Sequence, residues 1–133
     1  LPASTVRASQ LRQALISDGC WIETGARLER CVIGQRMRIG RDVALREAVL
    51  CGANRIETAA DRRANREGGR PDIGVGDGSV IVRAVLDKDC RVGRNVRIEN
   101  SQGLTTAEGP GWVIREGLVV VPKNAEIPDG TVI

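Results

Sequence analysis

The aliphatic residues from Leu11 to Leu50 fall at Leu11, Ile16, Ile22, Leu28, Ile33, Ile39, Leu45 and Leu50, in steps of five, six, six, five, six, six and five. That is a period of seventeen residues cut into three, which neither an amphipathic helix nor an alternating strand produces. Each five-residue step carries the same pattern of one small and two aliphatic residues: Ala14-Leu15-Ile16, Cys31-Val32-Ile33 and Ala48-Val49-Leu50. With each spaced aliphatic as position one, position five is again apolar or small: Leu15, Cys20, Ala26, Val32, Met37, Val43 and Val49. Positions three and four read as turns at Asp18-Gly19, Thr24-Gly25 and Arg41-Asp42, because Gly and Asp tolerate positive φ. The five-residue steps lack such a pair and use Arg or Glu, so one edge is expected to differ from the other two.

A short flat strand and a corner every six residues describe a triangular coil. The predicted fold is all-β, a parallel β-helix of hexapeptide repeats whose coils hydrogen-bond to one another about 4.8 Å apart. Each coil buries its aliphatics only against its neighbours, so stability builds coil by coil. Residues 1–10 have no clear period and read as a lead-in; residues 11–133 read as the β-helix. Two excursions interrupt it, near 51–72 and 99–112. In the first, Thr58-Ala59-Ala60-Asp61 predicts the capped start of a short polar helix running to Glu67 and ended by Gly68-Gly69 and Pro71. A loop of this length is either functional or a packing arm. The ladder resumes at Val75, Ile81, Leu86, Val92 and Ile98, and again at Val121, Ile127 and Ile133. The second excursion is rich in Gly, Ser and Thr, and Trp112 after it is expected to cover an exposed coil face. The ladder is unfinished at Ile133, and an open edge calls for cover by another chain or domain.

Composition narrows the picture. With two Trp, no Phe, no Tyr and one Met among 133 residues, the core must be narrow and built of stacked aliphatics. Eighteen Arg and two Lys are spread along the chain, the net charge is only +3, and aromatic residues do not interleave with basic ones, which argues against nucleic acid. Nothing in the sequence resembles a signal peptide or a membrane span, and the expected location is the cytoplasm. Cys20, Cys31, Cys51 and Cys90 have no CxxC spacing and read as reduced, buried thiols, with Cys20 and Cys90 at inward positions.

The chain has no His. Hexapeptide acyltransferases and gamma-type carbonic anhydrases, the enzymes best known on such coils, use His as base or zinc ligand. A hexapeptide acyltransferase would need that His from a partner chain, and this chain alone is not expected to be a catalyst, to bind a metal or to hold a cofactor. Gly74-Val75-Gly76-Asp77-Gly78 is explained by corners rather than by a phosphate loop. Anion binding remains. Both lysines, Lys88 and Lys123, fall at outward corners, with Arg91 and Arg115 among the guanidinium groups nearby in sequence. On spacing alone, the plainer account is that these are solvated corner residues.

Several runs resemble the C-terminal domain of glucose-1-phosphate adenylyltransferase (ADP-glucose pyrophosphorylase). They are Leu15-Ile16-Ser17-Asp18-Gly19-Cys20, Val32-Ile33-Gly34-Gln35-Arg36, Val49-Leu50-Cys51-Gly52-Ala53, Ile73-Gly74-Val75-Gly76, Arg83-Ala84-Val85-Leu86-Asp87-Lys88 and Val121-Pro122-Lys123-Asn124-Ala125. The order, both excursions and the ending Ile127-Pro128-Asp129-Gly130-Thr131-Val132-Ile133 match as well, and Leu1-Pro2 resembles the segment leading into that domain. The resemblance implies a left-handed coil, an exception to the usual crossover. It also implies a role in tetramer assembly and binding of phosphorylated effectors such as 3-phosphoglycerate, fructose 1,6-bisphosphate or phosphate. The family's enzymes join ATP and glucose 1-phosphate into ADP-glucose and pyrophosphate, with magnesium, for glycogen or starch synthesis. Their nucleotidyltransferase domain, with its glycine-rich loop, is not in these residues, so the chain reads as a piece of such an enzyme or a stand-alone relative. Two family lysines implicated in activator binding match Lys88, in Leu86-Asp87-Lys88-Asp89, and Lys123, in Pro122-Lys123-Asn124. The candidate effector site is therefore Lys88, Lys123, Arg91 and Arg115. Asp89 stands where the family often has Asn, and Arg55-Ile56-Glu57 where it commonly has two aromatics before Glu. The competing reading is a ligand-free oligomerisation scaffold.

Overall fold

The spaced aliphatics stack directly over one another. In the computed structural model, which describes residues 2–133, strands β2 (Gln10–Ile16), β4 (Arg27–Ile33), β6 (Ala44–Leu50) and β8 (Val80–Leu86) pair in parallel. Leu11, Leu28, Leu45 and Ile81 form one column, and Ile16, Ile33, Leu50 and Leu86 a second. A third column lies in a sheet of two-residue strands, β1 (Thr5–Val6), β3 (Trp21–Ile22), β5 (Arg38–Ile39), β7 (Gly74–Val75), β9 (Arg91–Val92) and β14 (Glu126–Ile127). It runs from Val6 through Ile22, Ile39, Val75 and Val92 to Ile127. The columns line a parallel β-helix whose buried centre is almost entirely aliphatic. Val6 and Leu11, in the first coil, are exposed, with no coil beneath them among the described residues.

The five-residue step does have a corner. Gln13, Arg30, Glu47 and Arg83 turn the seven-residue strands with φ of 53, 48, 51 and 50°, a region that non-glycine residues seldom enter. This single left-handed residue replaces the longer turn of a six-residue step, and the inward-outward alternation shifts by one. The small residues Cys31, Ala48 and Ala84 are therefore inward and buried, while Leu15, Val32 and Val49 point outward at 69, 41 and 40 % exposure. Position five is inward only on the six-residue steps, at Cys20, Ala26, Met37 and Val43. Cys51 likewise corrects the expectation of four buried thiols: it follows the inward Leu50 and is exposed, whereas Cys20, Cys31 and Cys90 are buried. Burial pushes the Cys31 thiol up to about 11 and the Cys90 thiol up to about 12, which leaves both protonated and unreactive at neutral pH.

The second excursion leaves from that same edge, after β10 (Arg97–Ile98) pairs with the first half of β8. It is an ordered meander rather than a loop. Strands β11 (Thr106–Gly109) and β12 (Trp112–Arg115) pair antiparallel across Pro110-Gly111. Strand β12 turns at Glu116-Gly117, with φ of 52 and 79°, into β13 (Leu118–Val121), which rejoins the second half of β8. Positive φ at both residues is the two-residue hairpin geometry matched to strand twist. Ile114 is buried, and Trp112 and Ala107 pack against the core.

The first excursion contains the one helix among the described residues, α1 (Ala59–Glu67), capped by Thr58 and Asp61 in a reciprocal capping box. No helix among the described residues is long and apolar enough to cross a membrane. A buried polar network straps this excursion over the short-strand sheet. Glu57 accepts from Ile73 N at 2.6 Å, Asn65 Nδ2 at 2.7 Å and Arg91 Nη1 at 3.1 Å. Arg91 Nη1 also donates to the Pro71 carbonyl at 2.9 Å. Gly74, with φ of 120°, brings the chain back so close to β5 that a Cβ would strike the Arg38 carbonyl oxygen.

Two stability predictions follow from this architecture. Leu45→Ala, in the middle of a column, is expected to cost about 2–5 kcal/mol in urea denaturation, whereas Leu15→Ala, on the outer face, should stay within about 0.5 kcal/mol. Burial alone would raise the Glu57 pKa, but hydrogen bonds from Asn65, Ile73 and Arg91 outweigh it and hold the carboxyl below its ordinary range. The folded chain thus takes up this proton less readily than the unfolded chain. The network's stabilisation is complete at neutral pH and is lost as pH falls through about 4.3 and below. Glu57→Gln should flatten that acid limb of a melting-temperature profile, while lowering stability at pH 7 by about 3 kcal/mol because Arg91 is left unpaired.

Candidate functional site

Lys88 and Lys123 occupy the same corner in successive coils. β8 ends at Leu86 and β13 at Val121, which are register partners, and each chain then turns through a lysine into a left-handed residue, Asp89 (φ 61°) or Asn124 (φ 65°). Asn124 N donates to the Lys88 carbonyl at 3.0 Å, locking one turn onto the other. The two backbones are therefore about 4.8 Å apart. Both lysines are exposed, and neither forms an ion pair with a carboxylate among the described residues. Two like charges carried on neighbouring backbones disfavour each other's approach, and an anion held between them relieves that repulsion.

The first excursion starts at the same corner one coil earlier, where Asp89 N donates to the Gly52 carbonyl at 3.0 Å. The Asp89 carboxylate accepts from Asn54 N at 2.8 Å and Asn54 Nδ2 at 2.7 Å. The negative charge beside Lys88 is thus directed at the excursion. A recess of about 150 Å³ opens beside the corner, lined by Asn54, Arg55, Arg70, Ile73, Asp89, Arg91 and Asn124.

The guanidiniums of the two predicted arginines are both engaged by protein groups. Arg91 is only 4 % exposed, and its guanidinium is held between Glu57 and Pro71. Burial in an ion pair gives it the task of fastening the excursion. Arg115 ends β12, where its guanidinium donates to the Ala107 and Ile114 carbonyls at 3.1 and 2.9 Å. Its register partner Leu118 lies five residues before Lys123 along β13, about 16 Å away at the rise of a strand. Arg91 lines the recess together with Arg55 and Arg70, which come from the excursion. Arg55 pairs with Asp61 at 3.1 Å and Arg70 with Glu126. Counting hexads assigns the excursion to the Lys88 corner, and that count was the available signal for them.

The corner offers positive charge and hydrogen-bond donors. No three or more Cys, Asp or Glu side chains converge as metal ligands among the described residues. The arrangement suits ion pairing with an anion.

Comparison with protein-family models gives one match over residues 1–132, to the GLGC left-handed parallel β-helix domain. This match fixes the hand of the coil and agrees with the three aligned columns. It covers nearly the whole chain, which therefore belongs to the family of left-handed β-helix domains found at the C-terminus of ADP-glucose pyrophosphorylase.

Proposed function

We propose that this chain is the regulatory and assembly domain of an ADP-glucose pyrophosphorylase, with Lys88 and Lys123 anchoring a phosphorylated effector. The observation that carries this reading is the stacking of the chain's two lysines at one corner, one coil apart and free of carboxylate partners, in a domain of this family. Phosphate is the fitting ligand class: its charge satisfies both ammonium groups, and Lys binds it as a point charge from a flexible stem. Asp89, tied to Asn54, links the site to the first excursion, so an effector on Lys88 also bears on how that excursion is held.

The assembly role draws support from the outer face of the five-residue steps. Leu15, Val32, Val49, Val85 and Val120 form a continuous outward column across β2, β4, β6, β8 and β13. The first three are exposed aliphatics, and an apolar stripe of this kind marks a surface that a partner covers. The partner would be the enzyme's nucleotidyltransferase domain or a second subunit of a homo-oligomer. The cytoplasm, where ATP and sugar phosphates are available, suits such an enzyme. Magnesium and ATP would be handled by the nucleotidyltransferase domain.

An effector acting here would bias a conformational equilibrium by about 1–3 kcal/mol. With this chain joined to its nucleotidyltransferase domain, Lys123→Ala should raise the half-saturating effector concentration by about tenfold and leave turnover without effector nearly unchanged. An unaltered effector response would remove Lys123 from the site. Val49→Glu, which sets a charge into the apolar column, should shift the assembled enzyme toward smaller species in analytical ultracentrifugation.

A further inference from the structure

On the outer face of the short-strand sheet, Thr5, Trp21 and Arg38 stand in one column. The next position up is Gly74, where the first excursion returns to the sheet. Between that excursion and the lead-in lies a hollow of about 250 Å³. Its walls are largely apolar, with Ala3 from the lead-in, Cys20, Trp21 and Met37 from the coils, and Ile56 and Ile73 from the far side. Ile56 is 52 % exposed, so the excursion presents a branched aliphatic at the mouth of the hollow with no protein group covering it. Neither Lys88 nor Lys123 lines it.

Four arginines also line the hollow, and three of them are engaged. Arg36 donates to the Ala53 carbonyl at 3.1 Å, Arg55 pairs with Asp61, and Arg62 donates to the Glu57 carbonyl at 2.8 Å. Arg38 has no side-chain hydrogen bond or ion pair among the described residues. Its guanidinium rests over Trp21, with Cζ 5.3 Å from the ring centroid. The one carboxylate in the lining, Glu57, is taken up by Ile73, Asn65 and Arg91. Glu23 is held by Trp21 Nε1 and Arg7. Burial lowers the Arg38 pKa, and the like charge of Arg62 lowers it further; Glu23, Asp72 and Asp77 oppose this more weakly. A guanidinium laid over a ring keeps the N–H donors in its own plane for an acceptor at its edge.

We propose that this hollow binds a monocarboxylate with an apolar body about the size of one aromatic ring. The carboxylate meets the edge of Arg38 as a charge-assisted pair, and the body lies against Trp21, Met37 and Ile56. An apolar cavity with one convergent polar group is the usual form of a small-molecule site. A planar carboxylate matches the guanidinium fork with both its oxygens, whereas apolar walls would leave further charged oxygens without partners.

The test is a titration of the labelled chain with 3-phenylpropionate, set against its neutral counterpart 3-phenylpropanol, acetate and inorganic phosphate at fixed ionic strength. The sequence holds one Met and two Trp, so the Met37 methyl and the Trp21 indole N–H report from inside the hollow. 3-Phenylpropionate should shift both saturably, and 3-phenylpropanol should bind about tenfold more weakly. Acetate and phosphate should not displace the acid. Arg38→Gln should weaken the acid about tenfold and leave the alcohol unchanged, which separates loss of the charge from loss of the fold. Ile56→Ser, at an exposed position, should weaken both ligands about fivefold at an unchanged melting temperature. The Lys88→Ala/Lys123→Ala double variant should bind the acid as the parent does. Absence of saturable shifts, equal affinity for acid and alcohol, survival of the preference in Arg38→Gln, or displacement by phosphate overturns the proposal.

Discussion

Parallel hydrogen bonding between successive coils is the constraint on which everything else depends. Once coil pairs with coil in register, each position sits over its counterpart seventeen residues away, or over a more distant one where an excursion intervenes. A column then takes one kind of side chain along its length. The three main inward columns are Ile, Leu and Val because a polar group there needs a partner, as the buried Ser79 hydroxyl has in the Gly93 carbonyl and Val96 N. The same register that stacks Leu45 on Leu28 also stacks Lys123 on Lys88 and Val49 on Val32. A cationic corner and an apolar stripe are thus by-products of a repeat whose first requirement is a dry core.

Excursions are cheap in such a scaffold because they leave the columns intact. β6 and β8 pair as neighbours although the first excursion separates them in sequence, and β13 rejoins β8 after the second. Their cost lies in fastening them down. The second excursion is fastened by strand pairing and by Ile114, Trp112 and Ala107 against the core. The first has a polar helix with little to bury, and it depends on the Glu57–Arg91 pair with Asn65, Ile73 and Pro71. A buried pair of this kind contributes modest net stability but penalises any other docking of the segment, since a displaced Glu57 leaves Arg91 uncompensated.

The columns were legible because burial repeats with the step lengths, and the capped helix because Thr58 and Asp61 sit three apart before Gly68. The left-handed corner at Gln13, Arg30, Glu47 and Arg83 was hidden, since these residue types carry no preference for that conformation, and the outward set of Leu15 and Val32 was hidden with it. The β11–β12 hairpin had visible signals in Pro110-Gly111 and Glu116-Gly117, but the polar strand Thr106–Gly109 masked its alternation. At the site, stacking of Lys88 and Lys123 follows from hexad counting alone. The pairing of Arg91 with Glu57 does not. Arg91 holds an outward position on its strand, and only the excursion folded over it makes it buried.

That same excursion borders both the lysine corner and the apolar hollow. Asn54 grips Asp89 beside the lysines, while Arg55, Ile56 and Arg62 border the hollow. The segment is held to the sheet by Asn54 on Asp89 near its start, by the Glu57–Arg91 network at its middle and by Arg70 on Glu126 near its end. Coupling between sites requires an element with alternative arrangements that both can bias; the first excursion borders both and lies outside the packed columns. The packed columns beneath it have no second arrangement to offer, since a slip of one residue would turn every inward aliphatic to water.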